Sequence, residues 1–144
     1  MAFTKRFFAD YKSYNDTDYH LEIWIDGNTT TASEITLGAG GPVISYDTDD
    51  EGRFNTILSS QMQVPIVCED VAVETFLSDL RDTYQEQQVY VHLYQSTSAN
   101  EDPLWSGFVL MDLSSQQDVD KPYVATITAT DGLSLLKDRD WVEA

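Results

Sequence analysis

Apolar residues in this chain recur at every second position in segment after segment, and at helical spacing in only one. Tyr19, Leu21, Ile23 and Ile25 alternate with His20, Glu22, Trp24 and Asp26. Ser60, Met62, Val64 and Ile66 alternate with Gln61, Gln63 and Pro65. Val89, Val91 and Leu93 alternate with Tyr90, His92 and Tyr94, and Tyr123, Ala125, Ile127 and Ala129 with Val124, Thr126, Thr128 and Thr130. A two-residue period places the apolar set on one face of a strand. Glu34 to Leu37 and Val43 to Tyr46 read as shorter strands, separated by Gly38-Ala39-Gly40-Gly41-Pro42, a reversal or loop signal. Leu104 to Leu113 is apolar on both faces and contains Gly107. Pro65 has no N–H for a ladder, which predicts that its strand runs at an edge or ends there.

The exception lies between the fourth and fifth of these runs. Val73, Phe76, Leu77, Leu80 and Tyr84 fall on one face of a helix predicted over residues 70–86, with Asp70 as N-cap. Asp131 is placed to cap a short helical turn at 133–137. The expected fold is mainly β (α+β): a barrel or sandwich of about seven strands with that one helix on its flank, all in a single domain over 1–144. Residues 1–18 read as polar and irregular. They carry Phe3, Phe7, Phe8, Tyr11 and Tyr14, and a free tail rarely holds five aromatics. The segment is expected to extend over another surface, the chain's own or a neighbour's, with those five side chains as candidate oligomer contacts.

Charge narrows the function. Twenty-five acidic residues against eight basic ones give a formal net charge of −17. A duplex-binding surface needs clustered Lys and Arg, so no sequence-specific nucleic-acid binding is expected. An anionic membrane surface would repel the chain for the same reason. With Cys68 as the only cysteine, no internal disulfide can form. Met1 to Tyr14 has no apolar h-region, so synthesis in a reducing cytoplasm is expected and the sequons at Asn15 and Asn28 read as chance matches.

The sequence offers little catalytic chemistry. Its two histidines, His20 and His92, lie about seventy positions apart on strand faces opposite the aliphatic ones. No glycine–x–serine–x–glycine elbow is present, and Cys68 at a strand end reads as a small buried hydrophobe. Asp47-Thr48-Asp49-Asp50-Glu51-Gly52 starts like a calcium loop, but its twelfth position is Leu58 where a bidentate Glu is required. Gly38 to Gly41 is followed by no Lys-Ser/Thr and opens no phosphate cradle. No catalytic residue, metal or cofactor is expected. Trp24, Trp105 and nearby tyrosines could instead line a small-ligand pocket inside a barrel.

Two segments carry a family resemblance. Pro103-Leu104-Trp105-Ser106-Gly107-Phe108-Val109-Leu110 places an aromatic and a glycine before an apolar run. Strand residues Ala125-Thr126-Ile127-Thr128-Ala129 lead into Asp131-Gly132-Leu133-Ser134-Leu135-Leu136. Together, and with a helix in the middle of the strand order, they resemble the tube-type barrel of baseplate hub and related tail proteins of tailed bacteriophages and contractile injection systems. The resemblance implies a non-enzymatic virion structural protein: a homo-oligomeric ring that also contacts other tail proteins, located in the tail and made in the bacterial host cytoplasm. It brings no catalytic residues. A negatively charged lumen would repel passing DNA, so Asp47, Asp49, Asp50, Glu51, Asp118 and Asp120 are expected to face a lumen or solvent. The high acidity also fits a DNA-mimic inhibitor of a DNA-binding protein, although the acids are dispersed without a long run.

Overall fold

The computed structural model describes residues 2–46, 59–95, 102–111 and 119–133. The chain is mainly β. Nine strands, β1 (Phe3–Lys12), β2 (Asp18–Asp26), β3 (Ser33–Glu34), β4 (Thr36–Leu37), β5 (Val43–Tyr46), β6 (Ser60–Cys68), β7 (Val89–Tyr94), β8 (Trp105–Val109) and β9 (Tyr123–Thr130), are joined by one helix, α1 (Val71–Asp82), between β6 and β7. They form one sheet in the order β3-β1-β2-β7-β8-β9-β6-β4, with β5 also on β6.

That sheet is a nearly closed barrel, and a very short piece of chain brings its edges together. β3 pairs parallel with β1 through Phe7 and Phe8. β4 pairs antiparallel with β6 through Ile66 and Val67. Only Ile35 separates β3 from β4, so a run of five residues, 33–37, bridges the two ends of the sheet. The Ile35 amide donates to the Phe8 carbonyl at 2.9 Å, and the Ile35 side chain is buried.

The alternating runs behave as their period requires. Leu21, Ile23 and Ile25 of β2, Met62, Val64 and Ile66 of β6, Val89, Val91 and Leu93 of β7, and Ala125, Ile127 and Ala129 of β9 are all buried in one core. The helix completes that core. Val73, Phe76, Leu77 and Leu80 are its buried residues, and the Phe76 ring meets Phe7 of β1 edge-on at 5.1 Å. Asp70 caps it, its Oδ1 accepting from the Val73 amide at 2.9 Å. The helix is shorter than the predicted 70–86. Thr83 leaves helical geometry, and the amides of Thr83 and Tyr84 both donate to the Asp79 carbonyl. Tyr84 still packs near Phe76, ring centroids 6.5 Å apart, so it belongs to the apolar face without belonging to the helix.

Two expectations are corrected. The stretch read as irregular, 1–18, contains the ten-residue strand β1, paired along its length with β2. Its pattern is hidden by a bulge. Lys5 pairs with Trp24 and Phe7 with Ile23, leaving Arg6 as the extra residue. A bulge shifts the alternation by one, so Phe3 and Lys5 lie on the outer face and Phe7 and Ala9 on the inner. β6 is not an edge strand, because it pairs with β9 on one side and with β4 and β5 on the other. Pro65 is tolerated because it falls in the gap between the two partners on that side of β6: β5 pairs along β6 only as far as Gln63, and β4 pairs with it from Ile66 onward. Its carbonyl accepts from Gly38 at 2.8 Å. The Asp131 cap is in place, with Oδ1 accepting from the Leu133 amide at 3.2 Å; the rest of the predicted turn at 133–137 lies outside the described residues.

Candidate functional site

Among the described residues, two places gather chemically active side chains. The first is the outer face of β1, β2 and β7. Alternation along β2 turns His20, Glu22 and Trp24 outward, and pairing brings Asp10 opposite His20, Phe8 opposite Glu22 and Lys5 opposite Trp24 from β1. From β7 the partners are Tyr94 beside His20, His92 beside Glu22 and Tyr90 beside Trp24. The long side chains close over the centre, and Glu22 is 0% exposed.

An isolated buried carboxylate would be costly, and this one is fully engaged. Lys5 Nζ lies 3.0 Å from Glu22 Oε1, His20 Nε2 lies 3.0 Å from the same oxygen, and Trp24 Nε1–H donates to Oε2 at 2.8 Å. Burial alone pushes the Glu22 carboxyl up. The hydrogen bonds from His20, Lys5 and Trp24, with the Lys5 charge, outweigh it and hold the group below the usual glutamate range. The second nitrogen of His20 faces Asp10 Oδ1 at 2.6 Å. Lys5, Glu22, His20 and Asp10 thus form a continuous polar chain across two strands. Both ring nitrogens of His20 are taken up by these contacts.

His92 sits beside this chain. Its Nδ1 lies 2.8 Å from Ser106 Oγ on β8, a separation that suits a base and its nucleophile. A triad also needs a carboxylate to orient the base. Both oxygens of the nearest carboxylate, Glu22, already receive bonds from other groups. Burial pushes the His92 imidazole below its ordinary value, and the Glu22 charge offsets part of that. The rings of Trp24, Tyr90 and Tyr94 surround it at centroid distances of 6.0, 6.4 and 6.4 Å.

The second place is a groove of about 800 Å³ at one mouth of the barrel. The end of β1, the β3–β4 bridge and the Gly38–Pro42 loop form its walls. Tyr11 and Tyr19, paired across β1 and β2, stack at 5.3 Å with 16° between their planes. Burial, with the neighbouring Tyr19, pushes the Tyr11 phenol up to about 12, so it stays protonated at neutral pH. Gly41 has φ +64, and a Cβ there would rest on the Tyr11 ring at 3.5 Å. Asp10, Lys12 and Glu34 bring charge to the groove.

The structure separates the five aromatics that the sequence grouped together. Phe7 is 1% exposed and belongs to the core, so its ring does not reach a neighbour. Phe3 lies on the outer wall, edge-on to Tyr90 at 5.0 Å. Phe8 is half-buried there, with Lys5 Nζ over its ring at 5.6 Å. Tyr11 and Tyr14 line the groove, and Tyr14 is fully exposed. Asp47, Asp49, Asp50, Glu51 and Asp118 lie outside the described residues, and with them the calcium-like loop; Asp120 is exposed just before β9.

Trp24 and Trp105 do not share a pocket. Trp24 is on the outer wall, whereas Trp105 is in the core and its Nε1–H donates to Ser60 Oγ at 2.8 Å. Cys68 is also in the core. The polar chain around Glu22 was missed from the sequence. The one signal for it was that His20, Glu22 and His92 share the non-aliphatic phase of two strands, which matters only once those strands are neighbours in register. Among the described residues, no group of three or more His, Cys, Asp or Glu side chains is placed to hold a metal ion, and no helix is long and apolar enough to cross a membrane. No family model, curated protein or solved structure matches this chain.

Proposed function

We propose that the protein is a non-enzymatic structural subunit of a phage-type tail or baseplate, assembling with copies of itself and with other tail proteins around a DNA conduit. One observation carries the reading: the barrel interior is packed with mostly aliphatic side chains and a few rings, Phe7 and Trp105 among them, while five further rings are displayed on the outer wall of β1, β2 and β7. Phe3, Phe8, Trp24, Tyr90 and His92 all lie on that wall, partly exposed. Among the described residues the barrel interior is filled by side chains, whereas aromatic-rich walls are the usual material of protein interfaces. The Glu22 chain fits the same role, because a fully bonded polar cluster holds the wall rigid for a partner. The resemblance of the 103–110 and 123–137 segments to tube-type barrels supplies the kind of assembly, and the charge of −17 suits a conduit that must not retain DNA.

Light scattering and negative-stain electron microscopy of the purified chain test this reading. Closed rings, or rings formed on adding tail proteins expressed from the same genome, are the expected result. A monomer at every concentration that also fails to associate with those proteins would overturn it.

A further inference from the structure

His92 lies in the middle of the ring-bearing outer wall, bonded to Ser106 and not to the chain around Glu22. Across the strands it is paired with Glu22 of β2 on one side and Ser106 of β8 on the other. Its ring is nearly parallel to Tyr90 at 13°, edge-on to Trp24 at 85° and tilted against Tyr94 at 45°. The side chain is half-buried in the single chain. Anything that docks on the wall removes more of the water it still touches.

The groups around His92 give a positive charge little relief. From β2 it meets Glu22, whose two oxygens already receive bonds from Lys5, His20 and Trp24. Beyond β2, strand β1 brings Lys5, itself a cation, and Asp10, held by His20 at 2.6 Å. Its own strand adds the phenols of Tyr90 and Tyr94, and β8 adds no titratable side chain. Burial accordingly holds the imidazole below its ordinary value already in the single chain, the Glu22 charge offsetting only part.

We propose that His92 makes docking on this wall pH-sensitive: neutral, it is part of the contact face; as an imidazolium in mild acid, it releases the partner. The inference rests on the reading above that this wall is the docking face. A partner that excludes water from His92 binds the neutral form more tightly than the charged one, so docking is linked to loss of a proton. Net charge works in the opposite direction. As pH falls, carboxylates take up protons, the charge of −17 shrinks and self-repulsion weakens. Release in acid therefore points to a local group and not to the overall charge.

The test follows association of the full chain, with copies of itself and with tail proteins from the same genome, by sedimentation from about pH 7.5 to about pH 5.5 at fixed ionic strength, the range in which an imidazole gains its proton. Wild-type association is expected to weaken at least about tenfold, the equivalent of moving the imidazole by about one pH unit on contact. His92→Gln, which stays neutral throughout, is expected to show no such loss. A second readout needs no variant: dilution calorimetry near pH 6 in buffers of unlike ionisation enthalpy is expected to show proton uptake on dissociation. Wild-type association that holds or tightens in acid, acid release that persists in His92→Gln, or dissociation without proton uptake would overturn the switch and leave the docking face standing. A chain that associates with nothing at about pH 7.5 would overturn the switch and the docking face together.

Discussion

Glu22 is the residue on which the outer wall turns. Its carboxylate is buried on a face that alternation alone would assign to solvent, and three donors from two strands make that burial tolerable. Removing one partner of such a cluster leaves the others desolvated. Glu22→Gln is therefore expected to destabilise the fold by about 3 kcal/mol, the low end for a broken buried pair because Lys5 can reach water. Urea unfolding at neutral pH measures it. The pH dependence follows from the direction of the shift. The folded carboxyl titrates below the unfolded one, so its stabilisation is fully present above the ordinary glutamate value of about 4.3. It is lost as pH falls through the lower folded value. Wild type should thus lose more stability than Glu22→Gln across that acidic window, and parallel urea curves for the two proteins would contradict the assignment.

At the scale of elements, Gly107 explains the glycine of the Trp105-Ser106-Gly107-Phe108 segment. β8 crosses β9 so closely there that a Cβ on Gly107 would collide with the Thr130 carbonyl oxygen and the Trp105 ring. The Trp105 ring is itself tethered, since its N–H bonds Ser60, whose hydroxyl donates to Asp131 Oδ2 at 2.6 Å. The start of β6, the start of β8 and the end of β9 are thereby tied at one point. Gly107→Ala is expected to cost about 2–3 kcal/mol through forced separation of the strands. The check is a fall in thermal midpoint accompanied by a changed Trp105 fluorescence environment. The hidden strand β1 makes the complementary point. Its residues have strand propensity, with Phe3, Phe7, Phe8 and Tyr11 among them, yet the bulge at Arg6 breaks the phase that would have revealed it.

For the whole molecule the dominant quantity is the net charge of −17 on 144 residues. Such a body repels itself, and salt relieves the repulsion. Raising ionic strength from about 0.01 M to about 0.15 M shortens the screening length from about 30 Å to about 8 Å. The same change weakens the exposed pairs Lys12–Asp16, Arg81–Asp82 and Lys121–Glu74, which contribute little. The thermal midpoint is therefore expected to rise by a few degrees over that range. A calorimetric scan series checks it, and a midpoint that falls with salt would mean the ion pairs outweigh the repulsion.

Period-two alternation sufficed to find β2, β6, β7 and β9, and period 3.6 with an Asp cap sufficed for α1, because those patterns arise from each segment burying one face, whatever it is buried against. Mainly-β character and a single flanking helix followed from the chain's own letters. Neighbour relations did not. That His20 and His92 flank one buried carboxylate, that Pro65 sits in a gap and not at an edge, and that five residues join the two ends of the sheet all depend on which strands pair and in what register. Pairing is a long-range choice made by the whole packed barrel, and no local window of residues contains it.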